Sequence, residues 1–212
     1  MSGLERQTDM TQQSWTRSRR ASQGRFGSLP NLLTYGRILA IPALVACFFV
    51  EADWGRWTAM WIFIAAGVTD FLDGYLARAW QQQSALGRML DPVADKLIVS
   101  AALMMLAANG TIAGWSLWAG VIILCREILV SGLREFLGTL AVSVPVTRLA
   151  KWKTVVQMVA IGFLLAGSAG DKVWQYTTLF GLTLLWIAAI FTLYTGYDYL
   201  RAALGHVMSE DD

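Results

Sequence analysis

The sequence predicts an all-α, polytopic membrane protein whose six transmembrane helices form one bundle. Of the 212 residues, 56% are apolar and only 15% are charged, a low charge content for a soluble domain with a polar surface. A large buried core in a soluble helical protein is the alternative. Ten tryptophans and six tyrosines favour the membrane, because both rings suit the boundary between lipid and water.

Six apolar stretches have roughly the length of a membrane span, which takes about 20 helical residues. They cover approximately residues 31–50, 57–80, 90–108, 114–138, 150–168 and 175–200. The short linkers leave no room for a second domain. We expect a flexible polar cytosolic tail over residues 1–28, the membrane domain over 29–204 and a short acidic tail over 205–212.

The basic residues predict the orientation of these spans. An even number of spans places both termini on one side, and cytoplasmic segments carry the excess of lysine and arginine. Of the seventeen lysines and arginines, only Arg56 and Lys172 fall on the side opposite the termini. The other fifteen lie in the tail, at cytosolic helix ends or in the loops after the second and fourth spans. Both termini are therefore predicted to be cytosolic. A bacterial inner membrane is favoured, although the Arg- and Ser-rich tail leaves open a transit peptide or a twin-arginine signal.

Four aspartates interrupt the second and third apolar stretches, namely Asp70, Asp73, Asp91 and Asp95. A carboxylate in the middle of a span costs roughly 3 kcal/mol on insertion scales, so each is a candidate for function. The first two are three residues apart and the last two are four apart, so each pair shares one face of its helix. Solvated loop charges are the alternative. If residues 81–84 form a turn between antiparallel helices, the two faces meet.

Four neighbouring carboxylates repel one another strongly where the dielectric constant is low, unless they are protonated, pair with bases or share cations. The bases near in sequence are Arg78, Arg88 and Lys96, and helical spacing turns Lys96 away from the aspartates. Carboxylate oxygens favour hard cations, and four exceed what one phosphate-bound Mg²⁺ usually takes. The cluster predicts a site for two Mg²⁺ ions, with Mn²⁺ as a substitute.

Small residues accompany the aspartates on the same faces. Gly74, Ala77 and Gly87 would leave the metal side open, so that a phosphate-bearing ligand can approach the helix backbone. Close packing between membrane helices is the alternative explanation for these residues. Cys47 and Cys125 lie far apart with no metal-binding spacing, so we interpret them as packing residues.

The stretch from Asp70 to Asp95 reads D-F-L-D-G-Y-L-A-R-x8-G-R-M-L-D-P-V-A-D. At every fixed position it resembles the signature of the CDP-alcohol phosphatidyltransferases, D-x-x-D-G-x-x-A-R-x8-G-x-x-x-D-x-x-x-D. The resemblance covers roughly residues 29–200 and implies a membrane domain of six helices. It also implies a reaction in which an alcohol attacks the phosphorus next to the lipid of CDP-diacylglycerol, and CMP leaves.

The resemblance assigns roles by position in the motif. The four aspartates would hold the metal ions, and Asp95 would also be the general base that takes the hydroxyl proton. The residues implied or expected to contact the CDP-lipid are Asn31, Thr34, Gly74, Arg78, Ser84 and Gly87. Arg37 begins the first span beside two of them. Helix capping and snorkelling are the alternatives for the residues of that span.

Three further segments resemble the branch that uses glycerol 3-phosphate, the phosphatidylglycerophosphate synthases. They read P-N-L-L-T-Y-G-R (30–37), R-E-I-L-V-S-G-L-R-E (126–135) and K-W-K-T-V-V-Q (151–157). Arg126, Arg134 and Lys153 are accordingly predicted to bind the acceptor phosphate. Basic residues at cytosolic helix ends can also reflect topology alone.

Two other functions stay open on the sequence alone. One is the same chemistry with another acceptor such as inositol phosphate. The other is a transporter, because acidic residues within the membrane often mark a transport pathway. Against it, all the unusual charges lie at one membrane face instead of across the membrane. The family resemblance further implies a homodimer, and no nucleic-acid partner is predicted.

Overall fold

The computed structural model describes residues 29–80, 85–139 and 148–210, and within these ranges the chain is helical apart from short linkers, without a strand. For residues 29–31, 73–80, 85–89, 91, 139, 148–151, 198 and 202–210 it describes the backbone only. The helices are α1 (Leu29–Cys47), α2 (Asp53–Trp80), α3 (Ala85–Ala108), α4 (Ser116–Thr139), α5 (Arg148–Asp171) and α6 (Thr177–Glu210). Each predicted apolar stretch coincides with one helix. The predicted tail over residues 1–28 lies outside the described residues, and α6 continues into the predicted acidic tail.

Three of the described helices are long and apolar enough to cross a membrane. The spans they offer are Ser116–Gly138, Trp152–Asp171 and Thr177–Arg201, and α1 adds a shorter apolar segment, Leu32–Cys47. Large apolar side chains such as Trp115 and Phe49 are about four-fifths exposed, as expected where lipid replaces water. These features indicate membrane association. α2 and α3 are equally long but contain the aspartates.

The helices pack around a core of aliphatic and small residues. α5 packs along α6, α1 packs along α2, and further contacts join α4 to α6, α2 to α5 and α1 to α3. Large side chains in this core include Phe63, Ile98 and Leu164, all essentially inaccessible to solvent. Alanines such as Ala102 and Ala188 lie among them and allow the helix backbones to approach closely. α3 makes only small contacts with α4 and α5, which leaves space between these helices.

Arg56 links several elements at the end of the molecule away from the aspartates, called here the far end. Its Nη2 donates hydrogen bonds to Asn109 Oδ1 at 2.8 Å and to Thr111 Oγ1 at 2.7 Å. Burial lowers the pKa of this guanidinium below its usual value. At Gly167 the helix α5 kinks with φ 42°, and a Cβ there would lie 2.9 Å from Arg56 Nη2. Glycine is therefore required at the kink, for both conformation and space.

Lys172 is the other basic residue that the sequence places opposite the predicted cytosolic side. Its Nζ lies 2.6 Å from Asp53 Oδ2, in an exposed ion pair that joins the end of α5 to the start of α2. Arg56 and Lys172 thus both bind protein groups at the far end. Their contacts connect the start of α2 to the linker between α3 and α4 and to the end of α5.

Candidate active site

Asp70 on α2 forms an ion pair with a buried arginine from α1. Arg37 Nη1 lies 2.7 Å from Asp70 Oδ1, and the Arg37 side chain is fully buried while 42% of the Asp70 side chain is exposed. Thr34, one helical turn before Arg37, is buried as well. The alternative of snorkelling is wrong for Arg37, because its guanidinium is buried and contacts Asp70 instead of extending to the surface.

A large apolar cavity runs along α2 and α5 and ends at two of the predicted aspartates. Its volume is about 760 Å³, and Asp70 and Asp95 both line it. Trp57 and Trp174 line the far end of the same cavity. Trp57 and Asp70 are separated by thirteen helical residues, or roughly 20 Å at 1.5 Å per residue. The apolar cavity is therefore long enough for an extended hydrocarbon chain whose head group reaches the aspartates.

A smaller polar cavity also borders Asp95, between α3, α4 and α5. Its volume is about 70 Å³, and its polar lining residues are Asp95, Lys96, Ser100, Glu127, Thr154 and Gln157. Asp95, Thr154 and Met158 line both cavities. The Lys96 ammonium group donates a hydrogen bond to Ser131 on α4, and Lys96 lines this cavity together with Asp95. Asp95 is thus a carboxylate that an apolar and a polar ligand can both reach.

Two of the three predicted phosphate-binding cations meet at one carboxylate. Lys153, which is only 2% exposed, donates to Glu127 Oε1, and Arg126 Nη1 lies 3.6 Å from the same oxygen. Arg126 Nη2 also donates to Thr195 Oγ1 on α6 at 3.0 Å. A Cβ at Gly196 would lie 3.1 Å from Arg126 Cγ, so this glycine allows the arginine to pack tightly against α6. Glu127 therefore holds a buried cation and a partly buried one beside the polar cavity.

The third predicted cation, Arg134, lies apart from the other two. Its Nη2 donates to the Tyr199 hydroxyl at 3.1 Å, and its Cζ lies 5.6 Å from the centroid of the Tyr199 ring. Arg126 and Arg134 are eight residues apart on α4, about 12 Å along the helix axis. The structure therefore brings Arg126 and Lys153 together and places Arg134 two turns away.

Several predicted site residues have side chains outside the part of the chain that the structure describes. They are Asn31, Asp73, Gly74, Arg78, Gly87 and Asp91, whose backbones are helical, and Ser84, which lies wholly outside the described residues. Among the described side chains, no three possible metal ligands come together. The cluster of four aspartates, of which only Asp70 and Asp95 are described, stays a prediction.

Several residues that contact or line the site receive no role from the sequence alone. Thr195 and Tyr199 bind the two arginines of α4, and Gln157 lines the polar cavity. The first two are four residues apart on α6, a spacing that places them on one helix face. Polar residues at that spacing in an apolar helix were an available signal, but they do not reveal which helix they face.

Comparison with known proteins agrees with the signature. The family model described as CDP-alcohol phosphatidyltransferase matches residues 27–194. A relative from Cereibacter sphaeroides is 41% identical over 217 residues, which cover 86% of this chain and 98% of the relative. A relative from Rickettsia bellii is 45% identical over 175 residues, which cover 82% of this chain and 94% of the relative. A relative from Arabidopsis thaliana is 40% identical over 185 residues, which cover 82% of this chain and 78% of the relative.

All three relatives carry the name CDP-diacylglycerol–glycerol-3-phosphate 3-phosphatidyltransferase, the plant protein with the number 2. The family match extends from just before α1 into α6, so it includes every helix that contributes to the two cavities. The chain belongs to the CDP-alcohol phosphatidyltransferase family.

Proposed function

We propose that this chain transfers the phosphatidyl group of CDP-diacylglycerol to glycerol 3-phosphate, giving phosphatidylglycerophosphate and CMP. The observation that carries the proposal is the position of Asp95, in the wall shared by the apolar and polar cavities. A reaction between a lipid and a water-soluble alcohol needs such a meeting point. The names of the relatives supply the two substrates.

The apolar cavity suits the lipid donor. It is lined mainly by aliphatic and aromatic side chains of α2 and α5, and its polar end contains Asp70 and Asp95. One acyl chain of CDP-diacylglycerol lying in it would pack against this apolar lining, in surroundings as apolar as the bilayer interior that it leaves. The diphosphate of the donor would then lie beside the aspartates.

Arg126 and Lys153 suit the phosphate of the acceptor. Both are held by Glu127, and a phosphate dianion can accept charge-assisted hydrogen bonds from a guanidinium and an ammonium group together. The binding of phosphate there would orient the rest of a small acceptor toward Asp95. Inositol phosphate is the alternative acceptor with the same anionic group.

A divalent cation, for which Mg²⁺ is the first choice, completes the proposal. Asp70 and Asp95 fit it because both offer carboxylate oxygens, the ligands of hard cations, to the same cavity. Asp73 and Asp91 would supply the remaining carboxylates. The bound cation would neutralise the negative charge that develops on the diphosphate as CMP leaves. Arg37 orients Asp70, and Asp95 accepts the proton of the attacking hydroxyl at a carboxylate oxygen.

In the topology that we propose, the protein crosses the membrane six times, with both termini and the aspartates on the cytosolic side. The distribution of lysine and arginine supports this orientation, as does the location of Arg56 and Lys172 at the far end. A bacterial inner membrane and a homodimer belong to the same proposal. The exposed apolar surface of α4 and α6 leaves room for lipid or for a second copy.

CMP release by the detergent-purified protein tests the function. The assay contains CDP-diacylglycerol with or without Mg²⁺, and compares glycerol 3-phosphate, inositol phosphate and glycerol as acceptors. We expect release to need both Mg²⁺ and glycerol 3-phosphate, and to fall at least 100-fold in Asp95→Asn, because a general base typically contributes about 10²- to 10⁴-fold. Asp53→Asn, at the far end, is the matched control and should keep its activity.

Each other outcome corrects a defined part of the proposal. Faster release with inositol phosphate would keep the site and overturn the acceptor. Release without divalent cations in the presence of a chelator would overturn the metal. Absence of release with every acceptor, in protein that elutes as a single folded species, would overturn the transferase activity itself.

A further inference from the structure

Gln157 on α5 is a buried polar residue whose carboxamide oxygen has no hydrogen-bond partner among the described residues. The side chain is only 4% exposed, and Oε1 is inaccessible. A buried polar atom without a partner costs free energy, so such atoms are rare in folded proteins unless a ligand or water binds them. An apolar residue of the same size would pack there at no such cost. The unpaired oxygen therefore indicates a binding role.

The oxygen belongs to a residue that lines the polar cavity. Asp95, Glu127 and Thr154 line the same cavity, so α3, α4 and α5 each contribute a polar wall. The volume is about 70 Å³, compared with about 760 Å³ for the apolar cavity. A space of this size suits a short polyol better than a six-carbon ring.

Gln157 lies between the groups that would hold the two ends of the acceptor. It follows Lys153 by one helical turn, so the two side chains share a face of α5. Lys153 contacts Glu127, which lines the polar cavity together with Asp95. An acceptor whose phosphate lies at Lys153 and whose reacting hydroxyl lies at Asp95 would present its middle carbon to this cavity.

We propose that the Gln157 carboxamide binds the second hydroxyl of the acceptor, the one next to the reacting hydroxyl. This residue then makes the site selective for phosphorylated alcohols with two neighbouring hydroxyl groups. The inference rests on the proposed transferase function and names the feature of the acceptor that the enzyme recognises. The middle hydroxyl donates to Oε1 and satisfies the oxygen that has no partner among the described residues.

The test compares glycerol 3-phosphate with 3-hydroxypropyl phosphate, which has the phosphate and the reacting hydroxyl but lacks the middle one. We measure kcat/KM for CMP release with each acceptor, in the full-length wild type and in Gln157→Met. In the wild type, glycerol 3-phosphate should be preferred roughly tenfold to a hundredfold, because its analogue leaves the carboxamide unpaired. In Gln157→Met we expect the preference to fall to about threefold or less, through loss of activity with glycerol 3-phosphate alone.

Two further readouts separate recognition from a structural role. Gln157→Met should unfold at the same temperature as the wild type or higher, because it removes an unpaired buried polar atom. Ser168→Ala removes an exposed hydroxyl from the same helix and should leave both the preference and the unfolding temperature unchanged.

Three results would overturn the inference. Equal loss of activity with both acceptors in Gln157→Met would show that the residue only supports the fold. A wild type without preference would mean that only water binds the carboxamide. Lower thermal stability of Gln157→Met would indicate a structural partner for the side chain. Wild-type protein inactive with glycerol 3-phosphate would instead overturn the proposed function.

Discussion

Arg37 Nη1 lies 2.7 Å from Asp70 Oδ1, so one of the predicted metal ligands already contacts a cation that belongs to the protein. The guanidinium is buried, whereas the carboxylate is partly open to the apolar cavity. A buried arginine needs such a partner, because an unpaired charge inside a protein is costly. The pair fixes the position of Asp70 and also partly neutralises it.

Replacing Arg37 should therefore make the stability of the protein depend on Mg²⁺. Arg37→Met removes the charge beside Asp70, and we expect a loss of about 1–3 kcal/mol in the free energy of unfolding without metal. Mg²⁺ should restore more stability to the variant than to the wild type, since it takes over the neutralisation of Asp70. Thermal unfolding with and without Mg²⁺ measures this difference.

Lys172→Met is the matched control, because it breaks an exposed ion pair with Asp53 at the far end. It should cost less than about 1 kcal/mol and leave the response to Mg²⁺ unchanged. An identical Mg²⁺ response in Arg37→Met and the wild type would contradict the assigned role of the pair.

Glu127→Gln should destabilise the protein while increasing the stabilisation by acceptor. Without this carboxylate, the buried Lys153 and the neighbouring Arg126 lose their shared partner, which we expect to cost about 2–4 kcal/mol. Glycerol 3-phosphate or inorganic phosphate should then raise the unfolding temperature more than in the wild type. Glu135→Gln, at an exposed position of the same helix, should show neither effect. If phosphate shifts both variants equally, these cations do not form the anion site.

Tyr199→Phe isolates the hydrogen bond that Arg134 donates to α6. The substitution keeps the ring that lies 5.6 Å from the guanidinium carbon and removes the hydroxyl that accepts at 3.1 Å. We expect a loss of about 0.5–1.5 kcal/mol in the free energy of unfolding. Tyr197→Phe, on the exposed side of the same helix, should change the free energy of unfolding by less than half the loss in Tyr199→Phe. Chemical denaturation in detergent compares the two, and equal losses would rule out a contribution from this hydrogen bond.

Gly162→Leu should obstruct the apolar cavity without disturbing the helices. Gly162 lines that cavity, and a Cβ there would meet no atom within 4 Å. We expect the apparent KM for CDP-diacylglycerol to rise roughly threefold to tenfold, because the new side chain takes the place of one or more methylene groups of the lipid and removes their packing contacts.

Gly132→Leu provides the control for this prediction, since Gly132 is exposed on α4 and its Cβ would also meet no atom within 4 Å. Both substitutions improve helix propensity by a similar amount. An unchanged KM in Gly162→Leu would show that the lipid does not use the apolar cavity.

The sequence predicts the number and placement of the helices well, because the apolar length of each span is readable directly. The ends are less predictable. α2 begins at Asp53, four residues before the expected start, since an acidic residue in the first turn stabilises a helix. α6 continues to Glu210, ten residues past the expected end, through a segment with alanines, leucine and methionine, which are strong helix formers.

The site itself is only partly predictable from the sequence. Spacing along one helix predicts that Lys96 turns away from the aspartates, and the structure pairs Lys96 with Ser131 while it lines the polar cavity together with Asp95. Spacing does not reveal that Arg37 contacts Asp70, or that Arg134 contacts Tyr199, because the rotation of one helix against another depends on packing over its whole length. Of the three cations expected to bind one phosphate, Arg126 and Lys153 meet at Glu127, whereas Arg134 lies two turns away along α4.

The wall that Asp95 shares with Thr154 and Met158 bears on how the catalytic cycle proceeds. Since the two cavities share this wall and are otherwise lined by different residues, neither proposed substrate has to leave before the other arrives. Donor and acceptor can form a ternary complex, in which the phosphatidyl group passes directly from one to the other. The enzyme then needs no covalent intermediate, and lipid diffusing sideways within the bilayer does not compete with solute arriving from water.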